Sequence, residues 1–273
     1  MNDEPHLLVD EDDGILIATF NRPAKYNALS HELMRTLGEA VIRFRDNPAL
    51  KVMLIRAKGR YFSAGADLKE GAGSPERRLP RTGSDLREMH RRGPSLMRPV
   101  FDEMESVEKP IVVAHQGTCL GGGLEMSLAC DFRLAAASAR YGFPEGAFGI
   151  LPATNGTSRL TRIVGPHWAR FLIMANLQAD AQQALNMGLV HLVFPDDTFE
   201  EEVMNFCRHL TRQHGEQMGA AKIAIELAAD LGADQAASVE RLANSALMLA
   251  PDYQAVFDRH VGGIGGKGKG KEG

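Results

Sequence analysis

The most informative stretch of the chain is Gly121-Gly122-Gly123-Leu124-Glu125, which lies between the apolar run Ile111-Val112-Val113-Ala114 and the helix-like run Met126-Ser127-Leu128-Ala129. Glycines between a buried strand and the start of a helix let the backbone approach a ligand closely. They also leave unpaired N–H groups at the helix N-terminus, where negative charge is stabilised. Because Glu125 adjoins these groups, the stretch predicts a site that stabilises an oxyanion and moves a proton.

The same glycines are also explained by a turn that only packs a strand closely against a helix. A phosphate-binding loop is disfavoured, because no Gly-Lys-Ser/Thr closes the segment and no Gly-x-Gly-x-x-Gly follows a strand here. The loop alone therefore leaves a packing turn and a catalytic loop open, and the surrounding sequence has to distinguish them.

Strand and helix patterns alternate on both sides of the loop, which predicts an α/β fold with largely parallel strands. Residues 7–9 and 15–20 flank Asp12-Asp13-Gly14, a pattern typical of a β-hairpin. Ser30 is expected to cap a helix that ends near Asp46, because apolar residues recur there at helical spacing. The other expected elements are strands at residues 52–57, 111–114, 134–137 and 189–194, and a helix at 179–187.

Three regions are expected along the chain. Residues 1–197 would form the α/β core, and residues 198–261 carry a helical pattern with little strand signal. Amphipathic helices are expected at 218–231 and 234–249, followed by a short last helix that begins at Pro251. Residues 262–273 are rich in Gly and Lys and are expected to form a flexible tail.

Composition restricts the class of protein. The chain has 273 residues, of which 44% are hydrophobic and 24% charged, and a net charge of -4, as in ordinary soluble globular proteins. This mild acidity argues against a nucleic-acid or membrane surface, and no apolar run approaches the ~20 residues of a membrane span. The N-terminus is acidic and lacks an apolar run, so a cytoplasmic location without a signal peptide is expected.

The cysteines and histidines do not suggest a disulfide framework or a metal site. Cys119, Cys130 and Cys207 form no Cys-x-x-Cys pair and are odd in number, and no His-Glu-x-x-His occurs. Cys119 lies beside the glycine loop, so a catalytic thiol is an alternative to a small core residue, which the lack of a neighbouring basic residue favours. His115 ends an apolar run and is expected in the core or in a turn rather than as a ligand.

Two further loops carry residues that could act with Glu125. Segment 61–70 contains Ala64-Gly65-Ala66, which again permits close backbone approach, and Asp67, which is expected to cap the next turn. Segment 141–146 contains Pro144-Glu145, where the proline could fix a second carboxylate in a rigid turn. Taken alone, Asp67 is an ordinary cap and Glu145 an ordinary exposed turn residue.

A set of short motifs follows in a fixed order along the chain. They are Asn21-Arg22-Pro23, Asn27-Ala28-Leu29, Phe62-Ser63-Ala64-Gly65-Ala66-Asp67-Leu68, Leu120-Gly121-Gly122-Gly123-Leu124-Glu125, Cys130-Asp131, Pro144-Glu145, Leu151-Pro152, Arg159-Leu160 and Gly165. In this order and spacing the chain resembles the crotonase, or enoyl-CoA hydratase/isomerase, family, from residue 9 to residue 260.

The resemblance implies a crotonase-like ββα spiral core followed by a C-terminal helical region that builds homotrimers, often paired into hexamers. It also implies an acyl-CoA or enoyl-CoA thioester as substrate, so coenzyme A arrives with the substrate and no separate cofactor or metal is expected. By position, the backbone N–H groups of Ala66 and Gly122 would form an oxyanion hole, and Glu125 and Glu145 would be the catalytic carboxylates. The other substrate-binding positions would be Ala24, Lys25, Tyr26, Ala64, Gly65, Asp67, Leu68, Gly121 and Pro144.

Glutamate at both catalytic positions is the pattern of members that are similar to hydratases, so an enoyl-CoA hydratase is predicted. Water addition needs one group to activate water and one to deliver a proton to C2. We expect Glu125 to do mainly the first and Glu145 mainly the second. A Δ3-Δ2-enoyl-CoA isomerase or another crotonase-type lyase is the alternative within the family. A protein that only binds acyl-CoA or RNA is the alternative outside enzymes.

The chain departs from the family pattern in three places. Ala153 and Asn155 replace glycines after the second glutamate, and His115-Gln116 stands where a motif asparagine is usual. Residues 71–99 form a longer segment than in compact members, with seven arginines and an expected short helix at 85–91. This segment either shapes the acyl pocket, with His90 or an arginine meeting a polar acyl chain, or is a solvated surface insertion.

Overall fold

The structure of the chain is a computed structural model that describes residues 4–72, 82–92, 96–250, 253, 256–259 and 261. The contacts within it divide the chain into two compact units, Met1–Gln213 and His214–Gly273. The boundary expected after residue 197 therefore falls inside the first unit. The start of the last helix, expected at Pro251, and the tail from residue 262 lie outside the described residues.

The first unit contains all of the described strands and most of the described helices. Its strands are β1 (Leu7–Asp12), β2 (Ile15–Phe20), β3 (Val52–Ala57), β4 (Tyr61–Ser63), β5 (Ile111–His115), β6 (Thr118–Leu120), β7 (Phe132–Ala136), β8 (Arg140–Gly142), β9 (Ala179–Asp180) and β10 (Leu192–Phe194). Its helices are α1 (His31–Asp46), α2 (Leu68–Ala72), α3 (Gly83–Arg92), α4 (Met97–Ser106), α5 (Gly122–Ser127), α6 (Gly156–Ala169), α7 (Ala181–Asn186) and α8 (Phe199–Thr211). Short 3-10 turns span Pro23–Lys25 and Pro144–Phe148.

The larger sheet has six strands in the order β1-β2-β3-β5-β7-β10. β1 and β2 pair antiparallel, which confirms the expected hairpin, and the remaining neighbours are parallel. β2 and β5 are buried along their whole length, as is common for inner strands of a sheet with mostly parallel pairing. α1 begins as expected, with the Ser30 hydroxyl accepting the Leu33 N–H at 3.2 Å. Helix α8 packs on β2, β3 and β7, which explains why it belongs to this unit.

The last strand of this sheet is shorter than the sequence suggests. It begins at Leu192, because Leu189 and Val190 still belong to the turn after α7, where both donate their N–H groups to the Ala184 carbonyl. Both side chains are buried. The apolar run therefore reflects burial in the core at its first residues and extended backbone only at its end.

A smaller sheet has four short strands in the order β4-β6-β8-β9, of which β4, β6 and β8 are parallel. Each of these three parallel strands has three residues. Because parallel neighbours have their carboxyl ends at the same edge, the loops that follow them lie side by side. Those loops are Ala64–Ala66 after β4, Gly121–Gly122 after β6 and Pro144–Glu145 after β8.

The second unit contains α9 (Gly215–Ala228) and α10 (Ala233–Met248), which pack on each other. They match the two helices expected in this region, although α9 begins earlier than residue 218. Several of their large apolar side chains are exposed, including Ile225 at 71% and Leu242 at 75%. Among the described residues of α9 and α10, Gly219 is the one that is buried.

Candidate active site

The loop after β4 turns one backbone N–H group toward the glycine loop. Leu29 and Ala66 form an isolated parallel bridge, in which the Leu29 N–H donates to the Gly65 carbonyl and the Asp67 N–H donates to the Leu29 carbonyl. In such a bridge the N–H of Ala66 itself points to the opposite side. That side faces α5, because a Cβ built on Gly122 would lie 3.3 Å from the Ala66 nitrogen.

The N–H groups of Ala66 and Gly122 are therefore adjacent and available together. Among the described residues, neither has a hydrogen-bond acceptor. Gly122 is the first residue of α5, so its N–H is one of those that a helix leaves unpaired. Gly65 has φ +95°, and a Cβ there would lie 3.1 Å from the Gly122 nitrogen, so only glycine permits this approach. The structure thus places the N–H groups of the two predicted oxyanion-hole residues, Ala66 and Gly122, next to each other.

A buried asparagine holds the first loop in place, and sequence reasoning did not assign it a role. The Asn27 amide donates to the carbonyls of Lys58 and Tyr61, both at 2.8 Å, and accepts the Arg22 N–H at 2.9 Å. The Ser63 hydroxyl donates to the Asn27 carbonyl and accepts the Gly65 N–H. The only sequence signal for this role was a family motif, because the partners of Asn27 are distant in sequence.

Asp67 is the cap that the sequence predicted. Its Oδ1 accepts the N–H groups of Lys69 and Glu70, and its Oδ2 lies 3.0 Å from the Arg22 guanidinium. Burial opposes its ionisation, but the hydrogen bonds from Arg22 and from the backbone hold the pKa of Asp67 below its usual value. Asp67 therefore remains ionised and braces the loop rather than exchanging protons.

Glu125 lies in the first turn of α5 and is only 4% exposed. Its Oε1 accepts the N–H of Thr154 at 2.7 Å and the N–H of Gly156 at 3.2 Å. Burial raises the pKa of Glu125 to about 7, the backbone N–H groups oppose this rise, and the nearby Glu145 adds to it. A carboxylate of this kind exchanges its proton near neutral pH.

Glu145 approaches the same glycine loop from the turn that follows β8. A Cβ built on Gly121 would lie 2.7 Å from the Glu145 Oε1 and 3.6 Å from the Pro144 Cδ. Glu145 is half-buried, and burial raises its pKa. Its Oε2 atom is buried and has no hydrogen-bond partner among the described residues. The structure thus brings both predicted catalytic carboxylates to one loop, beside the two N–H groups.

The predicted substrate-binding residues lie in the three loops and in the segment beside the first of them. The Ala64 N–H donates to the Tyr26 carbonyl at 2.9 Å, so the segment Ala24-Lys25-Tyr26 runs beside the loop. Ala24 and Lys25 are exposed, and so is Leu68 at 67%. The Arg60 guanidinium lies 5.3 Å from the ring centroids of both Tyr26 and Tyr61, a surface cluster that the sequence did not reveal.

Cys119 and His115 are core residues, which decides between the alternatives for both. Cys119 is fully buried, and burial raises the pKa of its thiol far above the usual value. Burial, with a contribution from Arg133, lowers the pKa of His115 to about 3, and its ring hydrogen-bonds the hydroxyls of Tyr141 and Ser127. Neither residue is placed to act as a nucleophile or as a base near neutral pH.

The structure describes some of the residues at which the chain departs from the family pattern. Gln116 donates from its side chain to the carbonyls of Gly59 and Tyr61, and so braces the start of β4. Ala153 is exposed, and Asn155 has φ +62°. The expected helix at 85–91 is confirmed within α3. The side chains of His90 and of five of the segment's seven arginines lie outside the described residues.

Comparison with known proteins agrees with this geometry. The family model for enoyl-CoA hydratase/isomerase matches residues 10–245. The chain belongs to the enoyl-CoA hydratase/isomerase family. This confirms the resemblance on which the site residues were assigned, and it implies an acyl-CoA substrate.

Two relatives of this family member are similar over most of their length. A 2,3-dehydroadipyl-CoA hydratase of Escherichia coli is 33% identical, over 94% of this chain and 93% of the relative. A crotonyl-CoA hydratase of Syntrophomonas wolfei is 30% identical, over 86% of each chain. The crystal structure of an enoyl-CoA hydratase from Bacillus anthracis superposes with a TM-score of 0.84 at 28% identity, covering 94% of this chain and 96% of the other. The expected crotonase-like α/β fold is thereby confirmed.

Two features are absent from the described residues. None of the helices there is both long enough and apolar enough to cross a membrane. Within the same part of the chain, no three His, Cys, Asp or Glu side chains are grouped so that they could hold a metal ion.

Proposed function

We propose that this chain is an enoyl-CoA hydratase, which adds water across the 2,3-double bond of an enoyl-CoA thioester. One observation carries the proposal: two carboxylates with raised pKa values flank a loop whose N–H group adjoins a second unpaired N–H. Coenzyme A arrives as part of the substrate, so the proposed reaction needs no separate cofactor.

The paired N–H groups suit the electronic demand of this reaction. Attack of water at C3 of an enoyl thioester moves an electron pair onto the thioester oxygen and forms an enolate. The N–H groups of Ala66 and Gly122 would donate to that oxygen, and each such donor typically lowers the barrier by about 3–4 kcal/mol. Because the loops are held by Asn27, Ser63 and Gly65, the donors are oriented before the substrate binds.

The environments of the two glutamates support different roles. Two backbone N–H groups stabilise the ionised form of Glu125, so it would accept a proton from water as the water oxygen bonds to C3. Glu145 has a buried oxygen without a partner in the described part of the chain, which suits a protonated carboxyl that delivers its proton to C2. One proton is thus taken up and one released, and proton exchange with water restores the starting state.

A panel of enoyl-CoA esters tests the proposal. It should include short-chain enoyl-CoA esters and enoyl-CoA esters with a terminal carboxylate on the acyl chain, since relatives are named for crotonyl-CoA and for 2,3-dehydroadipyl-CoA. The expected result is loss of the conjugated enoyl absorbance with formation of a 3-hydroxyacyl-CoA of one configuration. Movement of the double bond without water uptake would identify an isomerase instead. Binding of the esters with neither reaction would identify a non-catalytic acyl-CoA binder.

We also propose that the chain forms a homotrimer or a pair of trimers. The support is the apolar surface of the second unit, where Leu242 and Leu249 are 75% and 86% exposed. Apolar side chains in such number on paired helices usually mark an interface between subunits. Light scattering coupled to size-exclusion chromatography would measure the mass, and a monomer would overturn this proposal.

A further inference from the structure

Asn155 has an unusual conformation and an unusual hydrogen bond. It precedes the first residue of α6 with φ +62°, a left-handed conformation that favours glycine and that asparagine tolerates. An asparagine in this position normally accepts an N–H of its own helix, but the Asn155 side chain makes no such cap. Its amide instead donates to the Asp102 carboxylate of α4 at 3.1 Å.

The Asp102 carboxylate is itself part of an ion cluster around a buried arginine. Its Oδ1 also accepts from the Arg159 guanidinium at 2.8 Å, and the Arg159 side chain is only 6% exposed. Arg159 further contacts Glu105 of α4 at 2.6 Å and donates to the Thr154 carbonyl at 3.3 Å. The segment that contains Thr154 and Asn155 is therefore tied to α4 at two adjacent points.

This tied segment supplies the hydrogen bonds that hold Glu125. The donors are the N–H groups of Thr154 and Gly156, and Asn155 lies between them. A Cβ built on Gly156 would lie 2.6 Å from Glu125 Oε1, so the carboxylate is packed directly against this backbone. Any displacement of the segment would therefore move the carboxylate or lengthen its hydrogen bonds.

We propose that Asn155 is a positioning residue. The hydrogen bond from its side-chain amide to Asp102 fixes the two N–H groups that orient the Glu125 carboxylate toward water. This inference rests on the proposed hydration reaction. The alternative role of Asn155 is only to adopt positive φ, which glycine would serve as well or better. Glu145 is the charged neighbour of Glu125 itself, whereas Asp102 and Arg159 contact the supporting segment and Glu105 contacts Arg159.

The Asn155→Gly variant separates the two roles, because it keeps the backbone conformation and removes the amide. We expect kcat for enoyl-CoA hydration to fall about tenfold with KM unchanged, within the range that small displacements of catalytic groups produce. On acidification, the rate should also be lost at a higher pH than in the wild type. The reason is that weaker hydrogen bonds from the two N–H groups raise the pKa of Glu125. Asn155→Gly should have no further effect in an Asp102→Ala background.

Ser158→Ala is the matched control, because it removes a hydrogen bond to the Asn155 backbone carbonyl and leaves the hydrogen bond from the Asn155 side chain to Asp102 intact. It should leave kcat and the pH profile unchanged. Unchanged kcat and pH profile in Asn155→Gly, with an active wild type, would overturn the inference and leave the proposed function standing.

A measurement that does not need activity completes the test. The pKa of Glu125 can be followed by carbon NMR of protein labelled at the glutamate carboxyl, with the resonance assigned by its loss in Glu125→Gln. The expected result is a higher Glu125 pKa in Asn155→Gly than in the wild type or in Ser158→Ala. An unchanged Glu125 pKa would overturn the inference even if no enoyl-CoA is hydrated, an outcome that would separately refute the proposed function.

Discussion

The two glutamates of the site occupy contrasting surroundings. Glu125 lies in a helix, is 4% exposed and has one oxygen held by two backbone N–H groups. Glu145 lies in a short 3-10 turn, is half-buried and has a buried oxygen without a partner in the described structure. Glu125 thus has a carboxyl oxygen held by two N–H groups, whereas Glu145 has one buried carboxyl oxygen without a partner among the described residues.

Such a difference suits the opposite proton-transfer roles proposed for the two glutamates. Burial raises the pKa of both carboxyls, and the nearby Glu145 charge raises that of Glu125 further. The N–H groups at Glu125 oppose this rise and stabilise its ionised form, whereas the buried Oε2 of Glu145 has no such donor among the described residues. The contrast between the two surroundings can be tested by four changes.

The largest expected effect comes from removing each carboxylate in turn. Glu125→Gln and Glu145→Gln should each lower kcat by about 10²–10⁴, the usual contribution of a general acid or base. Binding of a saturated acyl-CoA should persist in both variants. Exchange of the C2 proton of that ester with deuterated water should be lost mainly in Glu145→Gln. Equal exchange in the two variants would show that the assigned roles are wrong.

The next effect is on stability and follows from the sign of the pKa shift. The folded-state pKa of Glu125 is about 7, above its ordinary value of 4.5, so this group favours folding most at low pH and loses that contribution as pH rises toward about 7. Above that pH, ionisation of the buried Glu125 lowers the free energy of unfolding by on the order of 3 kcal/mol.

Glu125→Gln removes this cost and should be more stable than the wild type in urea at about pH 8, with little difference at about pH 4. Glu145→Gln is the comparison variant and should show a smaller gain, because Glu145 is only half-buried. A gain for Glu125→Gln that does not vary with pH would contradict the environment described for this carboxyl.

A third change displaces Glu125 without altering its chemistry. In Gly156→Ala the new methyl group would lie 2.6 Å from Glu125 Oε1 and 2.9 Å from the Pro152 Cβ, so the carboxylate must move. We expect kcat to fall about a hundredfold, as misplacement of a catalytic group by about 1 Å can do. Gly215→Ala is the control, because nothing lies within 4 Å of a Cβ there, and normal kcat is expected.

The smallest effect is expected from the Thr154 side chain. Its hydroxyl is a minor contributor to holding the pKa of Glu125 down, beside the larger contribution of the Thr154 N–H. Thr154→Val keeps the N–H and removes the hydroxyl, so kcat near neutral pH should change by a factor of about 2–10, the worth of one hydrogen bond. A larger loss would show that the hydroxyl, rather than the backbone, positions Glu125.

Much of the fold was readable from the sequence because its signals are local. The hairpin of β1 and β2, the Ser30-capped helix α1 and the buried strands β3 and β5 have the apolar spacing or turn residues that define them. The three-residue strands β4, β6 and β8 were not predicted, since they are too short to show a period of alternating side chains. These strands nevertheless bring the three site loops together.

The motifs around Ala66, Gly122, Glu125 and Glu145 are contiguous and ordered along the chain, so the sequence was enough to identify the family and to predict the site residues. Packing in three dimensions sets which backbone groups face the site and what surrounds each carboxyl. The Leu29–Ala66 bridge, the N–H groups of Thr154 and Gly156 on Glu125, and the bond from Asn155 to Asp102 all join residues far apart in sequence. Such contacts depend on how elements pack, and no local pattern of residues encodes them.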